Sequence, residues 1–208
     1  MNHKGTLITG LIVAGVAAIL LLNLEPGKSP SSAPSRPVPV DAVAGPQAAV
    51  IREHPIGDEI VANHIRVAAV WLSAVAMDGM SAAGPNPIHI EADVKATEDN
   101  PNGYAKDDPV AYLKIAYAIV PGSGGAPIAS GELVPMMARD GFHYGATVAM
   151  PPVGDYHLVY DLQPPSANGL GRHSDPSTGV APWWEPFRAS FDWTVEPEDT
   201  APALAGTR

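Results

Sequence analysis

The chain has 208 residues, enough for one domain of ordinary size or one domain with a tail, and 46% of them are hydrophobic, which supports a packed core. A formal charge of −10 offers no basic face for nucleic acid, and the 20 glycines and 23 prolines favour turns and short strands over long helices. Cysteine is absent, which excludes disulfides, thiolate zinc sites, iron–sulfur clusters, blue-copper centres and a lipid-anchored cysteine, and leaves seven histidines and six methionines as nitrogen and sulfur ligands.

The first element is apolar. From Thr6 to Leu24 the chain carries no charge over 19 residues, a length that rises about 28 Å as a helix and spans a bilayer's hydrocarbon core. A secretory signal has a shorter apolar stretch with a small-residue cleavage site close behind, and here the first such sites fall near Ala42–Ala44. Residues 1–24 are therefore expected to be a signal anchor, with a cleaved signal peptide as the alternative. Lys4 before the run and the acidic chain after it place the amino terminus in the cytoplasm and export the rest. Residues 25–50 read as a Pro/Ser/Ala-rich linker stiffened by extended proline segments. Residues 51–195 form the expected domain, and 196–208 an expected disordered tail. Residues 51–208 hold 9 basic and 20 acidic side chains, a balance that draws cations.

Alternation of apolar and polar residues predicts strands near Ile65–Leu72, Ile88–Lys95, Ala111–Val120, Ile128–Pro135, Gly145–Met150, Tyr156–Gln163 and Phe187–Val195. Clusters such as DNPNG (99–103), PGSGG (121–125) and PPVGD (151–155) separate them. Seven short strands with this punctuation predict an all-β fold, an immunoglobulin-like antiparallel β-sandwich.

Three stretches carry candidate ligands. In IHIEADVK (88–95), His89, Glu91, Asp93 and Lys95 share one strand face, so His89 and Glu91 lie about 6.6–6.8 Å apart along the strand and can address one ion or two neighbouring ones. In PMMARDGFHYG (135–145), a turn at Asp140–Gly141 lets a hairpin bring the Met136 thioether beside the His143 imidazole. In GLGRHSDPSTG (169–179), His173 sits in a loop bracketed by glycines. Each stretch alone also fits a bland reading: a solvated polar face, a core methionine with a hydrogen-bonded turn histidine, an exposed loop histidine. His3, His54, His64 and His157 show no partner pattern and receive no metal role.

Taken in order, these stretches resemble the periplasmic iron-transport protein family (Fe2+ transport protein family). The matching segments are AAVWL (68–72), IHIEAD (88–93), DNPNGY (99–104), YLKIAY (112–117), LVPMMARDGFHYG (133–145) and GLGRH…TGV…WWEPF (169–187). Each is short, but six in order across residues 60–195 are specific. The resemblance implies an exported β-sandwich that binds copper and a second divalent ion, ferrous iron or manganese. It implies copper ligation by His89, Met136, His143 and His173, a role for Glu91 at the second ion, and Asp140 as an acidic neighbour. It also implies a homodimer working beside an inner-membrane iron permease. Arg139 and Phe142 depart from the family pattern, as does the long apolar amino terminus. The ligand chemistry agrees, since thioether and imidazole suit copper while carboxylate with imidazole suits a harder ion.

The function expected is thus a periplasmic metal-binding accessory of iron uptake, tethered to the inner membrane by residues 6–24. No nucleophile–base pair is visible, so an enzyme is the less favoured reading. The alternatives are a copper-dependent iron redox enzyme, a periplasmic copper chaperone or buffer, and an adhesion module whose histidines are incidental.

Overall fold

The computed structural model describes residues 52–79, 84 and 86–200. The expected signal anchor and linker lie outside the described residues, as do 201–208 of the expected tail. Among the described residues, no helix is long and apolar enough to cross a membrane.

Among the described residues nine strands follow in chain order: β1 (His54–Pro55), β2 (Ile60–Ala62), β3 (Ile65–Ser73), β4 (Pro87–Ala96), β5 (Lys114–Pro121), β6 (Ala129–Ala138), β7 (Gly141–Ala149), β8 (Gly154–Gln163) and β9 (Phe187–Val195). All seven predicted strands are present. β5 begins later than its alternation predicts, because Tyr112 takes a positive φ of 65° and turns Val110 and Leu113 into the core. β7 begins earlier, at Gly141, because the hairpin closes on the register pair Ala138–Gly141. The short β1 and β2 and a 3-10 turn at Pro165–Asn168 are additions. Glu196–Thr200 forms a turn in which the Asp199 N–H donates to the Glu196 carbonyl.

The antiparallel order is β1-β3-β4-β7-β6-β5-β8-β9, with β2 also paired to β3. β6 serves both halves of this curled sheet. Its residues Ala129–Leu133 pair with β5, and Val134–Ala138 pair with β7. The sandwich therefore folds over along β6, and the inner faces of the two halves share one core. Alternation sends Ile65 and Val67 from β3 and Ile88, Ile90, Ala92 and Val94 from β4 inward. Ile115, Leu158, Tyr160 and Phe191 meet them from the other half.

Two tyrosines tie that core to polar backbone. The Tyr144 hydroxyl donates to the Val110 carbonyl and accepts from the Leu113 N–H, each at 2.9 Å. Burial pushes its pKa up to about 12. The Tyr160 hydroxyl donates across the core to the Glu91 carbonyl at 3.0 Å, which links β8 to the strand that carries the candidate ligands.

Candidate metal centre

β4 and β7 lie side by side inside the sheet, with Glu91 opposite Gly145. Two residues back along β7, His143 pairs with Met136 of β6 across the hairpin, as the sequence predicts. A directly opposed pair of this kind brings the two Cβ atoms within about 4.5–5.5 Å. His89, Glu91, His143 and Met136 consequently share the outer face of this half of the sandwich.

That face is not solvated at its centre. His89 is 0% exposed, Glu91 6% and His143 5%. β4 is buried on both faces over Ile88–Ala92, and beyond them its polar face opens at Asp93 and Lys95. A polar strand face buried to this depth requires partners for its polar atoms.

Gly145 creates the room. A Cβ added there would lie 2.5 Å from the His89 Nε2 and 2.8 Å from its Cε1, so the His89 ring occupies the space a side chain would fill. Beside the ring three ligand atoms converge. Glu91 Oε1 lies 3.5 Å from the His89 Nε2 and 3.3 Å from the His143 Nε2. The imidazoles meet edge to face, with centroids 6.2 Å apart and an interplanar angle of 71°. Ligand atoms of all three residues fall within 4.8 Å of one another.

The donor set fits a metal ion on two counts. Both ring nitrogens of His89 are buried without a hydrogen-bond partner, an expensive arrangement unless something else takes a lone pair. The spacing also agrees. A first-row ion with bonds of about 2.0–2.2 Å holds neighbouring ligands about 3–3.5 Å apart. Burial, and then the neighbouring His143, lower the His89 pKa to about 4, so its imidazole is neutral and able to coordinate at neutral pH. Burial, followed by the negative charges of Glu53, Asp93 and Asp140, raises the Glu91 pKa to about 7. A cation among the three ligand atoms would relieve the penalty on the carboxylate that these groups impose.

The expected residues separate into two places. His89, Glu91 and His143 form one cluster, with the half-buried Met136 on the adjoining strand. His173 is not part of that cluster. It is exposed on the loop after the 3-10 turn, where its Nδ1 meets Thr178 Oγ1 at 2.8 Å. Asp140 stands where an acidic neighbour was expected, acting on Glu91 and on Glu53. Of the departures from the family pattern, Phe142 faces the core and packs edge-on against Tyr144 at 5.2 Å, on the opposite face from His143, and Arg139 is exposed in the hairpin turn. Two contributors were missed. Glu53 lies in the irregular entry segment, which has no periodicity to read. Gly145 was legible in principle, because an isolated glycine inside a strand marks a close approach.

The remaining histidines among the described residues have other partners. His54 stacks on Trp71 at 4.2 Å, His64 Nδ1 pairs with Asp99 at 2.9 Å, and His157 Nδ1 pairs with Asp192 at 2.8 Å.

An antiparallel sandwich with a buried imidazole–carboxylate–imidazole cluster on one sheet face defines a β-sandwich protein with a metal-type donor set. The profile of the family described as Fe2+ transport protein matches residues 50–196, and the chain belongs to that family. It is 38% identical over 148 residues to a UPF0423 protein of Brucella abortus, covering 68% of this chain and 81% of the relative. It is 33% identical over 153 residues to the 34 kDa membrane antigen of Treponema pallidum, covering 70% and 74%. Among solved structures, a copper-bound variant of FetP from uropathogenic Escherichia coli strain F11 superposes with a TM-score of 0.64 at 37% identity, covering 69% of this chain and 97% of that one. The copper-reconstituted P19 protein of Campylobacter jejuni gives the same TM-score of 0.64 at 38% identity, over 69% and 96%.

Proposed function

We propose that this protein is a periplasmic metal-binding accessory of iron uptake, which holds copper and presents a second site to a divalent ion beside an inner-membrane iron permease. The observation that carries the reading is the fully buried His89 ring, neither nitrogen of which has a hydrogen-bond partner, with its Nε2 beside the Glu91 carboxylate that also faces His143. Family membership and the copper-bound relatives support it, and expression of FetP in the periplasm supports the compartment.

On this reading copper takes His89, His143 and the Met136 thioether, a soft and borderline set. Glu91 turns toward the second ion, with Glu53, Asp93 and Asp140 adding negative charge around it. Ferrous iron is the cargo, and manganese is a redox-stable probe of the same hard-ligand position. His173 stands apart from the cluster, so its ligation and the homodimer form one proposal: a second copy of the chain supplies His173. Residues 6–24 tether the domain to the membrane, and the 25–50 linker lets it reach a neighbouring permease.

Copper titration of the metal-stripped protein tests the centre. His89→Ala and His143→Ala should each weaken binding by orders of magnitude, and affinity equal to the parent in both variants refutes the assignment.

A further inference from the structure

The loop that carries His173 is built to hold one form of its imidazole. Its backbone closes on itself, with the Val180 N–H donating to the His173 carbonyl at 3.0 Å and the Gly179 N–H to the Asp175 carbonyl at 2.9 Å. Inside that closure the Asp175 carboxylate gathers donors. Its Oδ1 accepts from the Ser177 N–H at 3.0 Å, the Ser177 hydroxyl at 2.7 Å and the Thr178 N–H at 3.0 Å. Its Oδ2 faces Thr178 Oγ1 at 2.6 Å. The same Thr178 Oγ1 lies 2.8 Å from His173 Nδ1.

The proton count of this chain has one solution. An ionised carboxylate only accepts, so the single hydroxyl proton of Thr178 goes to Asp175. Thr178 Oγ1 then has only lone pairs to offer, and His173 must supply the proton from Nδ1. The neutral ring is left with its lone pair on Nε2. That atom has no hydrogen-bond partner among the described residues, and His173 is exposed. Outer hydrogen bonds of this kind fix the tautomer and orientation of ligand histidines.

We propose that Thr178 and Asp175 are positioning residues, which lock His173 in the Nδ1–H tautomer and aim Nε2 outward as a preformed metal ligand. The inference rests on His173 being a ligand, as proposed above. It adds the two residues that act through it and the atom that binds.

The test uses the full chain and Cu2+ as probe. Thr178→Ser keeps the hydroxyl and Thr178→Val removes it while keeping the shape. In metal-free protein labelled with 15N-histidine, long-range 1H–15N correlation should place the His173 proton on Nδ1 in the parent and in Thr178→Ser. In Thr178→Val the proton should move to Nε2, the tautomer favoured by a free histidine side chain in water. Copper affinity by chelator competition should fall about 10–100-fold in Thr178→Val and stay near the parent value in Thr178→Ser. A parent His173 protonated on Nε2 overturns the inference. So does His173→Ala weakening copper while Thr178→Val does not, an outcome that leaves the ligand reading intact. Copper binding untouched in His173→Ala removes the ligand reading and the inference together.

Discussion

Replacing Glu91 by glutamine separates the role of its charge from that of its shape. The Glu91 side chain is 8% exposed, and its folded-state pKa is about 7 against an ordinary 4.5, with burial as the largest cause. Because the folded value is the higher one, the contribution is complete below about pH 4.5 and is lost as pH rises through about 7. Linkage puts the loss between about pH 5 and about pH 8 at about 2.5 kcal/mol. Glutamine carries no charge at either pH, so the variant avoids that loss. His89 has the opposite sign, its pKa being lowered from 6.5 to about 4. Its contribution is present above about pH 6.5 and is lost as pH falls through about 4, and it is common to both proteins. Thermal unfolding of metal-stripped parent and Glu91→Gln is the assay. Any packing cost of the amide appears at both pH values, and only the change in the difference is read. Relative to the parent, the variant should gain about 5–10 °C in Tm on going from about pH 5 to about pH 8. A difference that does not change with pH refutes the claim that this carboxylate is strained without a cation.

Three further outcomes are expected. Gly145→Ala forces a Cβ against the His89 ring and should cost about 1–3 kcal/mol in a denaturant titration while weakening copper at least about tenfold by calorimetry. Manganese binding, followed by electron paramagnetic resonance, should fall about 50-fold from about pH 7 to about pH 5, because protons compete for Glu91 below its raised pKa; a flat profile would remove Glu91 from that site. Tyr160→Phe deletes the hydroxyl that donates to the Glu91 carbonyl and should lower the urea midpoint by an amount worth about 1 kcal/mol.

The strands were legible because period-2 alternation is a strong signal, clearest in β4, β8 and β9, and because Gly/Pro clusters mark the strand ends. β1 and β2, with two and three residues, are too short to show a period and exist because the edge of β3 offers them partners. The Met136–His143 pairing was readable from the turn alone. Burial of the His89–Glu91 face was not, since alternation says which residues share a face and nothing about what covers it. The place of His173 was equally hidden, because a loop has no register to count along. Asp175 and Thr178 appear in the sequence as an ordinary turn, and only hydrogen-bond geometry ties them to the histidine.

The switch of partners within β6 gives the centre unequal kinetics. His89 and Glu91 sit on β4, which is paired with β3 on one side and β7 on the other, while His143 lies on β7 one residue past its ladder with β4 and is paired with β6. Past Leu133, β6 has left β5 and among the described residues bonds only to β7, so Met136 lies on a half-strand with one free edge. Local opening begins where backbone bonds are fewest. Amide exchange around Met136 should therefore run ahead of exchange around His89 and Glu91, and the sulfur should be the first donor to let go. Bound copper would then loosen in order, thioether before imidazole, with the rest of the sandwich still closed.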